Sequence, residues 1–127
     1  MTDGGAKRIL VVDDEADMTK LLKDRLERSG YRVETAFDGE EALARITREP
    51  PDLVILDLIL PKLDGWRVCQ RLKSDERTRH IPVVMLSAMV QTDSKSDPHE
   101  LGDAYLGKPF ELRALLERVD GLLGVRR

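Results

Sequence analysis

Short, wholly apolar runs alternate along this chain with longer segments in which apolar residues recur every three or four positions, and this alternation limits the fold more than any other feature. Arg8-Ile9-Leu10-Val11-Val12 is a β-branched run, which predicts a strand buried on both faces. Met18, Leu21, Leu22 and Leu26 then keep helical spacing within a charged segment that Gly30 stops. Tyr31 to Ala36 alternates polar and apolar, as a half-exposed or edge strand does. Ala42, Leu43 and Ile46 mark a second helix, closed by Pro50-Pro51. Leu53 to Asp57 is a third strand, apolar enough to be central, and a loop holding Pro61 and Gly65 leads to a third helix through Val68, Cys69 and Leu72. Pro82 to Leu86 predicts a fourth strand ending at Ser87, and Ala104-Tyr105-Leu106 a short fifth. Leu112, Leu115, Leu116, Val119, Leu122 and Leu123 form the cleanest helical stripe in the chain.

Alternation of this kind predicts an α/β class: a flavodoxin-like, doubly wound, five-stranded parallel sheet in the order 2-1-3-4-5, with helices on both faces. A closed eight-stranded barrel needs roughly 200 residues or more, and the 127 present suit one domain with a core over about 7–124. Five helices are expected, the fourth short or poorly ordered. From Gln91 to Glu100 there is no apolar residue, and Asp97-Pro98-His99-Glu100 has the composition of a helix start with only Leu101 before Gly102.

Composition narrows the function classes. With apolar residues at 41% and charged residues at 35%, the chain has the balance of a folded globular protein. A formal charge of −3 argues against a nucleic-acid surface, which needs excess cations to replace phosphate counterions. The single Cys69 offers no internal disulfide, and no Cys/His cluster has zinc spacing. No apolar run fits a membrane span or a signal peptide, so a cytoplasmic protein with no membrane contact is expected.

Ligands of a doubly wound sheet bind beyond the carboxyl ends of its strands. The predicted strand ends carry Asp13 and Asp14, Asp57, Ser87 and Lys108. Each has an ordinary structural explanation: Asp14 as a helix N-cap, Asp57 opening a turn, Ser87 capping a helix, Lys108 lying on the surface. Capping does not account for all of them falling on one edge. Crowded carboxylates raise one another's pKa and need compensation, which Lys108 and a divalent cation supply. Oxygen ligands without His or Cys favour Mg²⁺.

These residues sit in four ordered motifs: Val11-Val12-Asp13-Asp14-Glu15, Asp57-Leu58-Ile59-Leu60-Pro61-Lys62-Leu63-Asp64-Gly65, Leu86-Ser87-Ala88 and Tyr105-Leu106-Gly107-Lys108-Pro109-Phe110. With them the chain resembles, over nearly its whole length, the receiver domain of two-component response regulators. The resemblance implies that Asp57 accepts a phosphoryl group from a phosphohistidine on a sensor histidine kinase or phosphotransfer protein. It implies Mg²⁺ held by Asp13, Asp14, Asp57 and the backbone carbonyl of Ile59, with Lys108 pairing with a phosphoryl oxygen and its peptide bond to Pro109 cis. Ser87 would follow the phosphoryl group inward and Tyr105 would change rotamer with it. In related receivers, the positions two beyond the phosphoacceptor and two beyond the hydroxyl residue help set hydrolysis. Here they are Ile59 and Met89, which cannot hydrogen-bond an attacking water well, so a long-lived acyl phosphate is expected.

The resemblance thus implies a switch acting by protein contact on a downstream effector, without catalytic turnover beyond self-phosphorylation and slow autodephosphorylation, and it leaves room for dimerisation on phosphorylation. A receiver belonging to a longer regulator is an alternative, and an Mg²⁺-dependent phosphatase a third. Among other residues, Trp66 reads as a half-buried packing residue and Cys69 as a small apolar filler. His80 and His99 read as solvated, and Gly39 and Gly65 as relief of backbone strain at helix entries.

Overall fold

Within each central strand, odd and even residues part to opposite faces of the sheet, and each face then recruits its own pair of helices. The computed structural model describes residues 6–58, 60, 64–87 and 103–125. Strands β1 (Arg8–Val12), β2 (Arg32–Ala36), β3 (Leu53–Asp57), β4 (Val83–Ser87) and β5 (Ala104–Gly107) form one sheet ordered β2-β1-β3-β4-β5. All neighbours are parallel, with Val12 opposite Ala36 and Leu56, Asp57 opposite Leu86, and Ser87 opposite Gly107. The helices described are α1 (Ala16–Arg28), α2 (Gly39–Arg48), α3 (Gly65–Ser74) and α4 (Leu112–Leu123). The expected order and class are therefore present. The short helix expected at Asp97 lies outside the described residues, as do Ile59, Met89 and His99.

Leu10, Val12, Val54, Leu56, Val83 and Met85 pack on one face against Ala42 and Ile46 of α2 and Val68, Cys69 and Leu72 of α3. Ile9, Val11, Leu53, Ile55, Val84 and Leu86 pack on the other against Leu22 and Leu26 of α1 and Leu115 and Val119 of α4. Full burial of one such aliphatic side chain stabilises by roughly 1.5–3 kcal/mol, so the two layers fix both the sheet and the positions of the strand ends.

Local chemistry sets the helix limits. Asp38 caps α2, its Oδ1 accepting the Glu41 N–H at 2.8 Å, while Glu41 Oε1 accepts the Phe37 N–H at 2.9 Å. Asp64 caps α3 by accepting from Arg67 N at 3.0 Å. Gly30, at φ +101°, turns the chain after α1 as a left-handed residue, as its place at the helix stop anticipates. Tyr31 falls before β2 rather than within it. Its buried ring packs beneath the sheet and its hydroxyl donates to Asp120 Oδ1 of α4.

Gly65 needs a different explanation from the one its position suggests. It has no positive φ; instead, a Cβ there would stand 2.3 Å from the Asp57 carbonyl oxygen and 2.6 Å from Leu58 Cα. The residue is a glycine because backbone passes against backbone. Gly39 likewise has no positive φ. At the opposite end of the sheet, the Lys73 ammonium donates to Asp103 Oδ2 and the Ile81 carbonyl, each at 2.9 Å, joining α3 to the starts of β4 and β5.

Candidate functional site

Asp13 lies one residue beyond β1, and its N–H donates to the Ala36 carbonyl at 3.1 Å, continuing the β1–β2 ladder. Its carboxylate is buried; Oδ1 accepts the Glu15 N–H at 2.9 Å. Asp14 is exposed. It does not cap α1: the cap position belongs to Glu15, whose side chain makes no capping hydrogen bond. Asp57 closes β3 and is buried, and the chain leaves it through a Leu58 N–H bond to the Leu86 carbonyl at 2.9 Å. Oxygens from Asp13, Asp14 and Asp57 all lie within 4.8 Å of one another.

Lys108 follows β5 directly. Its N–H donates to the Ser87 carbonyl at 2.7 Å, and its peptide bond to Pro109 is cis. From there the side chain crosses the strand ends, and Nζ donates to Asp57 Oδ2 at 3.0 Å and Asp13 Oδ2 at 3.1 Å. Glu15 Oε1 stands 3.6 Å away. Burial works against the charged form of Lys108, yet the hydrogen bonds to Asp57 and Asp13, with their charges, outweigh it and hold its pKa above the usual lysine value.

Of the two predicted switch residues, Ser87 borders this pocket and Tyr105 lies two residues before the end of β5. Ser87 is fully buried at the end of β4 and joins it through the carbonyl that holds Lys108. Tyr105, opposite Met85 in β5, is partly buried against the layer that α2 and α3 cover. Ile59, whose carbonyl the resemblance puts among the metal ligands, lies outside the described residues. Trp66 is partly buried against that same layer, Cys69 is fully buried with its thiol pushed up to about 11, and His80 is exposed. Sequence reasoning passed over Glu15, although the run of three acids from Asp13 was there to be seen.

The donor set suits a hard cation: among the described residues three carboxylates converge without His or Cys, and the Lys108 ammonium bridges two of them. The site also falls where strand order reverses, between β1 and β3. Fold and pocket together define a doubly wound domain with an acidic, lysine-bridged ligand site at its switch point. The response regulator receiver domain family matches residues 9–120, and the chain belongs to that family, the receiver domains of two-component systems.

Its relatives include the DNA-binding transcriptional regulator RpaA of Synechocystis sp., 47% identical over 117 residues, covering 91% of this chain and 48% of that one. The chain spans about half the length of the curated relatives it matches. Among solved structures, a CheY-like receiver domain protein of Methanospirillum hungatei superposes with a TM-score of 0.86 at 31% identity, covering 94% of each chain. TrrA of Thermotoga maritima, solved in complex with Mg²⁺ and BeF, superposes with a TM-score of 0.80 at 37% identity, covering 91% of this chain and 98% of that one. No helix among the described residues is long and apolar enough to cross a membrane.

Proposed function

We propose that this chain is a phosphorylation-controlled signalling switch in which Asp57 takes a phosphoryl group from a phosphohistidine of a sensor histidine kinase or phosphotransfer protein. The observation that carries this reading is the buried Asp57 carboxylate, bridged by Lys108 at 3.0 Å beside two further acids.

Phosphoryl transfer needs a positioned nucleophile and neutralisation of the oxygens around phosphorus. Asp57 is fixed by β3 on one side and by the backbone passing at Gly65 on the other, so its carboxylate is held ready as the nucleophile. Lys108 already donates to Asp57 and is placed to donate to an oxygen carried on it. Asp13, Asp14 and Asp57 would hold Mg²⁺, with the Ile59 carbonyl added by resemblance; the ion supplies further charge neutralisation. The Mg²⁺ complex of TrrA supports that choice of metal.

A phosphoryl group adds a charge of roughly −1.5 to −2 and three acceptor oxygens. Ser87 and Lys108 share a backbone hydrogen bond, so the end of β4 lies where the new charge is felt. Movement of Ser87 toward it, with Tyr105 responding in β5, would change the surface offered to a downstream protein. The reaction is stoichiometric, not a turnover, and belongs in the cytoplasm with the kinase. A second form of the reading, in which the effector lies on the same polypeptide, is favoured by the half-length coverage of RpaA.

The test is intact-mass analysis after incubation with acetyl phosphate and Mg²⁺. One phosphoryl group on the wild type and none on Asp57→Asn supports the switch. Continued turnover of a simple phosphate ester would favour a phosphatase instead.

A further inference from the structure

Among the described residues, no helix-capping bond accounts for the side chain of Glu15. Glutamate is a poor residue for a helix cap position, and here its carboxylate bonds none of the N–H groups of α1. The carboxylate turns instead toward Lys108, with Oε1 at 3.6 Å from Nζ. The Lys108 ammonium has three N–H bonds, and Asp57, Asp13 and Glu15 offer it oxygens at 3.0, 3.1 and 3.6 Å. The first two acceptors are buried, whereas the Glu15 side chain is 66% exposed. An oxygen arriving at this ammonium from solvent therefore competes with Glu15 first.

From this geometry we infer that Glu15 is a specificity-determining, positioning residue: it occupies the outer side of Lys108 and biases the pocket against highly charged free phosphodonors. The inference rests on Asp57 being the phosphoacceptor. Its chemistry is electrostatic. A dianionic donor meets an extra negative charge at the mouth and must also displace Glu15 from Lys108, while a donor of lower charge meets less of both. In the reaction, the bond from phosphorus to the donor's leaving atom breaks as one to an Asp57 carboxylate oxygen forms. The leaving group departs with the electron pair, as acetate from acetyl phosphate, and no oxidant or reductant is involved. Glu15 acts before this step, on capture of the donor. A donor presented by a protein surface supplies binding energy of its own, so the bias would fall on free small phosphates and leave protein donors favoured.

The experiment compares wild type, Glu15→Gln and Glu15→Asp at saturating Mg²⁺, with acetyl phosphate (a dianion near neutral pH) and phosphoramidate (a monoanion). Asp57 labelling is followed by intact mass, and circular dichroism checks the fold of each variant. Glu15→Gln should lower the acetyl phosphate concentration that gives half-maximal labelling rate about two- to five-fold with the maximal labelling rate nearly unchanged, should lower it less for phosphoramidate, and should lose this advantage in high salt. Glu15→Asp, which keeps the charge, should stay near wild type with both donors. An equal change for both donors, a change confined to the maximal labelling rate, or no change while wild type is still labelled on Asp57 overturns the role of Glu15 alone. Absence of labelling in wild type overturns the phosphoacceptor reading, and this inference with it.

Discussion

The ammonium of Lys108 lies 3.0 Å from the Oδ2 atom of Asp57, although 51 residues separate the two in sequence. Both side chains are largely withdrawn from solvent, and Asp13 shares the same cation. Lys108→Met would leave two buried carboxylates facing each other without the ammonium that bridges them. Removing one partner of a buried pair is far more damaging than the pair is favourable. We expect a loss of about 2–3 kcal/mol in urea unfolding without divalent cations, part of it recovered on adding Mg²⁺. Labelling of Asp57 should slow by about ten-fold or more, as for loss of a preorganised donor. Unchanged stability in the metal-free protein would show that Asp13 and Asp57 do not both carry charge there.

Mg²⁺ itself should stabilise the fold. An ion that binds only the native state at ten times its Kd adds about 1.4 kcal/mol. Thermal unfolding should therefore shift upward on titration with MgCl₂ and return on chelation, without loss of secondary structure. Asp14→Asn provides the clean control, because Asp14 is exposed and makes no cap. That variant should keep the metal-free melting temperature within a degree or two while losing most of the metal-induced rise.

Two glycines should respond oppositely to alanine. At Gly65 the added Cβ would lie 2.3 Å from the Asp57 carbonyl oxygen, a clash with backbone that no rotamer relieves. Gly65→Ala should cost about 3 kcal/mol, and Asp57 labelling should fall with it. At Gly121, inside α4, nothing stands within 4 Å of an added Cβ. Gly121→Ala should stabilise by about 0.5–1 kcal/mol through helix propensity. Denaturant midpoints of the two variants read both effects.

Cys69 offers a test at alkaline pH. Its thiol is pushed up to about 11 by burial, against the ordinary value of 9.0. The folded state therefore holds its proton more tightly than the unfolded state. The corresponding stability is complete below pH 9 and drains away as pH rises toward 11. Cys69→Ala should show a lower plateau, from the cavity, and a flatter alkaline decline than wild type. Aromatic disulfide reagents should label Cys69 only after unfolding, and rapid labelling of the native protein would contradict its burial.

Much of the fold can be read from residue type because the central strands have a distinctive job. Leu53 to Leu56 is apolar without interruption since helices cover both of its faces, and the same holds for Val83 to Leu86. The carboxylates and lysine at the strand ends follow from this, because a polar residue after a buried strand must emerge at the rim. What is not legible depends on through-space relations. Asp14 and Glu15 are both acids at the entry to α1, and only coordinates show that the cap position falls on Glu15 and that its carboxylate turns to Lys108. Gly65 announces a turn, yet its reason lies in the backbone of β3 passing beside it. Tyr31 fits a strand by alternation, and its pairing with Asp120 depends on where α4 returns.

The 2.7 Å hydrogen bond from the Lys108 amide to the Ser87 carbonyl makes the last residue of β4 and the pocket's lysine parts of one lever. A tug on either is delivered to the other through the peptide frame, without waiting for side chains to rearrange. A protein that bound on the β4–β5 side would thus sense the same piece of backbone that carries the lysine balancing the buried acids.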